Sequence, residues 1–144
     1  MKKIIVLMMS VIALVSCGNS VESKSDNFKE DFIDAWRTSG EMLLSYSEQV
    51  SENDMYKDFV KEGVDSIIRE AFSPFIEKYG EERVLDFINS KTGENDEKVT
   101  SIEFFFYGIR SNNILFIFDE AVKGNRTKAK DYITKCVNHM ENTF

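Results

Sequence analysis

Cysteine, histidine and carboxylate are the side chains here with the chemical reach for catalysis, and they are unevenly supplied. The chain holds two cysteines, Cys17 and Cys136, one histidine, His139, and 25 acids. Cys136 precedes His139 by three residues, so a helix would put both on one face. A Cys/His nucleophile is geometrically conceivable there. The plainer reading is that Cys136 falls on an apolar stripe and is a small core residue. Two such ligands are too few for a zinc site. Carboxylates recur in groups: Glu30/Asp31, Glu81/Glu82, Asp119/Glu120 and Glu94/Asp96/Glu97. Two carboxylates about 5–10 Å apart in a cleft would cleave a glycan. Most of these groups sit opposite an apolar stripe, however, where a solvated face is the default. Asn95-Asp96-Glu97 lacks the ligand repeat of a calcium loop. There is no Gly-rich phosphate loop, Gly-x-Ser-x-Gly elbow or His-Glu-x-x-His. The expectation is therefore no catalytic, cofactor-binding or metal-binding residue.

The chemistry of Cys17 is of another kind. Lys2 and Lys3 open the chain, and Ile4 to Val15 is apolar apart from Ser10. Twelve residues of helix span about 18 Å, too short for a bilayer core of about 30 Å. That length suits the apolar region of a secretory signal. Leu14-Val15-Ser16-Cys17 closes it, with Leu at −3, a small residue at −1 and Cys at +1. This segment resembles the lipobox of bacterial lipoproteins, in which Ala or Ser is commoner than Val at −2. The resemblance covers 17 residues. It implies diacylglyceryl on the Cys17 sulfur and cleavage before Cys17 by signal peptidase II, after which the new amino group is often acylated too. The alternative is an ordinary secretory signal, or an uncleaved anchor with a chance cysteine. No Ala-x-Ala-like site follows the apolar run to support it.

These readings divide the chain into a signal peptide over 1–16, a lipidated tether over 17–25 and a helical domain over 26–144. Cleavage removes Lys2 and Lys3 from the 18 basic residues, leaving 16 against 25 acids and a mature net charge of −9. Two or three acyl chains anchor stably, where one does not. The partner expected first is thus a membrane, through lipid on Cys17, with a protein partner also possible. An acidic chain lacks the basic footprint of nucleic-acid binding. Gly18 at +2 implies, by analogy with proteobacterial sorting, delivery to the outer membrane. In a Gram-positive cell the address would be the outer face of the plasma membrane. With Cys17 as a thioether, Cys136 has no intramolecular partner, and the core must hold the domain without a disulfide.

The rest of the chain reads as helices. Phe28, Phe32, Trp36 and Leu43 form a stripe from Asn27 toward Val50, with Gly40 as a possible break. Tyr56, Phe59, Val60, Val64, Ile67, Ile68, Ala71 and Phe72 recur at three and four. Ser73-Pro74 suits an N-cap and first-turn proline for a separate short helix to Tyr79. Glu81-Glu82 opens a helix carrying Val84, Leu85, Phe87 and Ile88, favourably placed for its dipole. Val99, Ile102, Phe106 and Ile109 fit a helix starting near Asp96, with acids in its first turn. The rival there is a β-hairpin at about 102–118, turning at Arg110-Ser111-Asn112-Asn113, because short aromatic runs do not separate helix from strand. Phe104-Phe105-Phe106-Tyr107 is too apolar for one helical face and must be buried between helices or form a contact patch. A last helix carries Ala129, Tyr132, Ile133, Cys136, Val137 and Met140. Arg126, Lys128 and Lys130 lie at its start, against the dipole.

Residues 71–93 carry a second resemblance, to an uncharacterised family of secreted helical bacterial proteins. Its pattern is a helix ending in Tyr, an acidic helix start, then Phe-Tyr-x-Ser-Pro-x-Gly. Phe87, Ser90 and Gly93 match in spacing, while Ile88 and Lys91 replace the Tyr and Pro. It implies an envelope address and a helical fold, and no mechanism.

The reading is an all-α single small domain behind a cleaved lipoprotein signal, with α+β as the alternative. Its function is that of a lipid-anchored envelope protein, a non-enzymatic binding or interaction module. The rivals are an envelope hydrolase using carboxylates and an immunity-type inhibitor lipoprotein, whose acidic surface would suit a basic toxin.

Overall fold

The computed structural model describes residues 27–110 and 114–144. The signal peptide 1–16, the lipidation site Cys17 and the tether 17–25 lie outside the described residues. Six α-helices follow in order: α1 (Phe28–Ser47), α2 (Asp58–Tyr79), α3 (Glu81–Ser90), α4 (Ile102–Ile109), α5 (Leu115–Val122) and α6 (Arg126–Thr143). A short 3-10 turn, Glu52–Asp54, precedes α2. Among the described residues there is no strand, so the protein is all-α. The hairpin alternative falls: both of its arms are helices, and Arg110 and Ile114 carry helical dihedrals. Apolar run composition did not decide this. Ser101 did, because its hydroxyl accepts from the Phe104 N–H at 3.2 Å and caps a helix start.

Helix α1 is the axis of the fold. Its stripe Phe28, Phe32, Trp36, Leu43 and Leu44 is buried, and α2, α5 and α6 pack around it. Phe28 meets Phe75 and Tyr79 near the end of α2, while Tyr46 reaches Gly63 near its start, so the two helices run antiparallel. Gly40 does not break α1. A Cβ there would stand 3.1 Å from Ile133 Cδ1, so its smallness lets α6 approach. Gly63 serves α2 in the same way, since an added Cβ would fall 2.7 Å from Tyr46 Cζ.

Two expected boundaries move. Pro74 lies inside α2, which runs unbroken to Tyr79. The proline is exposed, so water can satisfy the carbonyl one turn back that loses its N–H partner. Phe72 and Phe75, on either side of it, both pack on Phe32, which holds the two halves in one line. Helix α4 starts at Ile102 rather than near Asp96, and Glu94, Asp96 and Glu97 sit in the preceding loop. That loop is pinned by Asn89, whose side-chain amide donates to the Val99 carbonyl at 2.9 Å and whose carbonyl accepts the Val99 N–H at 2.8 Å.

The basic start of α6 also has a structural reason. The Arg126 guanidinium donates to the Leu44 carbonyl at 2.9 Å and to Ser47 Oγ at 3.3 Å, and pairs with Glu48. It caps the carbonyl end of α1, where a cation is favoured. Lys128 pairs with Glu120 at the end of α5.

Candidate functional site

The helical stripe of α2 is narrower than its sequence suggested. Val60, Val64, Ile68, Phe72 and Phe75 are buried, a row at four, four, four and three. Tyr56 and Phe59 are not part of it: they are 66% and 58% exposed. Tyr56 precedes the first turn of α2 and so escapes helical periodicity altogether. Phe104-Phe105-Phe106-Tyr107 splits in a similar way. Phe105 and Phe106 enter the core, while Tyr107 stays 40% exposed with its ring parallel to Phe104.

The exposed tyrosines flank an opening of about 360 Å³. Met55 and Tyr56 come from the segment leading into α2, Val60, Lys61 and Val64 from its first turns. Tyr107 and Arg110 come from the end of α4, and Leu115, Phe118 and Asp119 from α5. Most of the lining is hydrocarbon or aromatic ring. Behind it Tyr46 stacks on Phe118 with ring centres 5.8 Å apart, so Gly63, which admits Tyr46, also sets the back wall. The helices α4 and α5 beside it have eight residues each.

Three charges line the opening. Lys61 lies 3.7 Å from Asp58, whose carboxylate is almost fully exposed. Arg110 lies 4.0 Å from Asp65 and over the Tyr107 ring. Asp119 is half-buried, and burial raises its pKa, with Glu120 adding to the rise and Lys123 opposing it. Of these, only Asp119 belonged to a carboxylate pair visible in the sequence. Its neighbour Glu120 turns away to Asn125 and Lys128.

The other carboxylates disperse. Asp31 accepts from Lys78 Nζ and Tyr79 Oη, both at 2.6 Å, and these bonds lower its pKa. Glu81 and Glu82 are exposed at the start of α3. Asp96 accepts the Gly93 N–H within its loop. Glu103, outside the predicted groups, takes a two-pronged bond from Arg69 at 2.6 and 2.8 Å, which lowers its pKa. A cleft of about 420 Å³ along α1 and α6 is polar, lined by Lys29, Glu30, Asp34, Arg37 and Glu141, and Arg37 already pairs with two of its acids. Among the described residues no group of three or more His, Cys, Asp or Glu is arranged to hold a metal.

Cys136 is 1% exposed on the inner face of α6. Burial pushes its thiol pKa up to about 11, opposed by a hydrogen bond with Tyr132. At neutral pH it is a thiol and a poor nucleophile. His139 is half-buried on the same helix, and its Nε2 is enclosed without a hydrogen-bond partner. Cys17 cannot be placed, as it lies outside the described residues.

No family model, no curated protein and no solved structure matches this chain.

Proposed function

We propose that this is a lipid-anchored protein of the bacterial cell envelope whose helical domain is a non-enzymatic binding module. The address rests on the charged start, the short apolar run and Leu14-Val15-Ser16-Cys17. Gly18 at +2 directs it to the outer membrane in a Gram-negative cell. In other cells it stays on the outer face of the plasma membrane. No helix among the described residues is long and apolar enough to cross a membrane, so lipid on Cys17 is the anchor this reading requires.

One observation carries the binding role: the apolar cavity between α2, α4 and α5, flanked by exposed Tyr56 and Tyr107. Small-molecule sites are concave and mostly apolar, with a few polar groups at fixed points. Its occupant is an apolar ligand or the apolar part of a partner. A carboxylate hydrolase would need a second acid beside Asp119, whereas Asp119 is the single acid of this lining. An immunity-type role draws only on the mature charge of −9.

Two measurements test this. Wild-type protein should enter the detergent phase on phase partitioning, and Cys17→Ala should stay in the aqueous phase; both in the aqueous phase would refute the anchor. A neutral, photoreactive decyl alcohol should label the cavity lining in the nanodisc-embedded protein. Labelling spread evenly over the helical surface would refute the binding site.

A further inference from the structure

The cavity has a polarity that its volume alone does not convey. Its interior is built from Val60, Val64, Leu115 and Phe118, and its two formal cations, Lys61 and Arg110, stand among its lining. Neither cation is tightly engaged. The Lys61–Asp58 separation of 3.7 Å and the Arg110–Asp65 separation of 4.0 Å are long for ion pairs. Charge-assisted hydrogen bonds run to about 2.7–2.9 Å, and Arg69, one turn from Asp65, achieves that with Asp65 and Glu103. Arg110 is thus the outer member of a network whose acid is already claimed. Both cations line the same opening, so an anionic head group there would meet positive charge in place of bulk water. The lining holds one acid, Asp119, against these two cations. Burial raises the Asp119 pKa, opposed by Lys123.

Size narrows the choice further. At about 360 Å³ the opening falls near the low end of ligand pockets, roughly 300–1,000 Å³. That is room for one chain and not for the paired chains of a membrane phospholipid. We propose that the cavity binds a single-chain anionic amphiphile, of the fatty-acid class, with its hydrocarbon between α2 and α5 and its head group between Lys61 and Arg110. This inference rests on the reading of the cavity as a binding site and adds the identity of the head group.

The test compares three photoreactive probes with the same decyl chain and different heads: carboxylate, alcohol and trimethylammonium. Each is offered to the full lipidated protein in nanodiscs, and labelled residues are read by mass spectrometry. The carboxylate probe should label Met55, Val60, Val64 or Leu115 about tenfold more than the other two, the ratio that one lost charge-assisted contact of about 1.4 kcal/mol produces. Lys61→Gln with Arg110→Gln should bring the carboxylate probe down to the level of the alcohol. Leu115→Trp, which fills the opening, should abolish cavity labelling by all three, and Val64→Phe checks the same point from the α2 side. Equal labelling by the three probes would overturn the head-group assignment while leaving an apolar binding site. Stronger labelling by the trimethylammonium probe would also overturn it. No cavity labelling by any probe would overturn both.

Discussion

The two ends of the α1–α2 pair use aromatic side chains in opposite ways. At the end where α1 begins, Phe28, Phe32, Phe75, Tyr79, Phe87 and Phe144 pack edge-to-face or tilted, with ring centres 4.8–5.8 Å apart. Arg83 lies over Phe28 at 4.5 Å and Lys91 over Phe87 at 5.6 Å, so cations seal the outside. Toward the other end of the pair, the rings of Tyr56 and Tyr107 stand at the edge of an open cavity. The first end closes because α3 and the last residue, Phe144, cover it. At the second, an opening of about 360 Å³ remains among the described residues. Aromatic content therefore does not distinguish core from exposed surface here.

The largest effect should come from the closed end. Phe32 is fully buried and touches four other rings. Phe32→Ala should cost about 3–5 kcal/mol, the range for truncating a packed aromatic, measured by urea unfolding. A loss below about 1 kcal/mol would mean that this end is not closely packed.

An intermediate effect separates the ends directly. Val84 on α3 is fully buried, and Leu115 at the cavity is half-buried. Val84→Phe should destabilise by about 1–3 kcal/mol through overpacking, whereas Leu115→Phe should stay within about 1 kcal/mol of wild type. Equal losses at the two sites would show that the cavity is not free space.

The smallest effect concerns pH, and its sign differs between the ends. The Asp31 pKa is lowered in the folded state by Lys78 and Tyr79. Its stabilisation is present above the ordinary carboxylate value of 3.8 and is lost as pH falls below it. Asp119 is raised by burial, so its contribution is full below 3.8 and declines as pH rises through the folded value. Asp31→Asn should weaken the protein at pH 7 and reduce the stability lost on acidification. Asp119→Asn should leave the protein at pH 7 as stable as wild type or slightly more so. Both carboxylates are partly exposed, and each change should stay below about 1 kcal/mol. Denaturant midpoints at pH 7 and pH 3 decide it, and same-signed shifts for the two variants would contradict the assignment.

Several features were legible along the chain because they depend on local spacing. The buried stripes of α1, α3 and α6 follow from apolar recurrence, and Cys136 lies inward as its position in that stripe required. Other features failed for a common reason. Pro74 looked like a helix start because a proline fits a first turn, but aromatic packing on Phe32 carries α2 through it. The acids at 94–97 looked like a first turn, but Ser101 caps the helix and Asn89 holds the intervening loop. Tyr56 and Phe59 looked like core because their spacing fits, but both are exposed.

What the sequence by itself determined is the helical character of α1, α3 and α6, the inner faces of those helices and the solvated placing of most acids. Each is set by hydrophobic periodicity, which acts within a turn or two of chain. Tertiary structure alone decided that Arg126 caps α1 across 82 positions, that Gly63 admits Tyr46, and that Lys61, Arg110 and Asp119 meet at one opening. These depend on where helices cross and how far each extends past its neighbour. That is a property of packed lengths and shapes, which no local pattern of residues encodes.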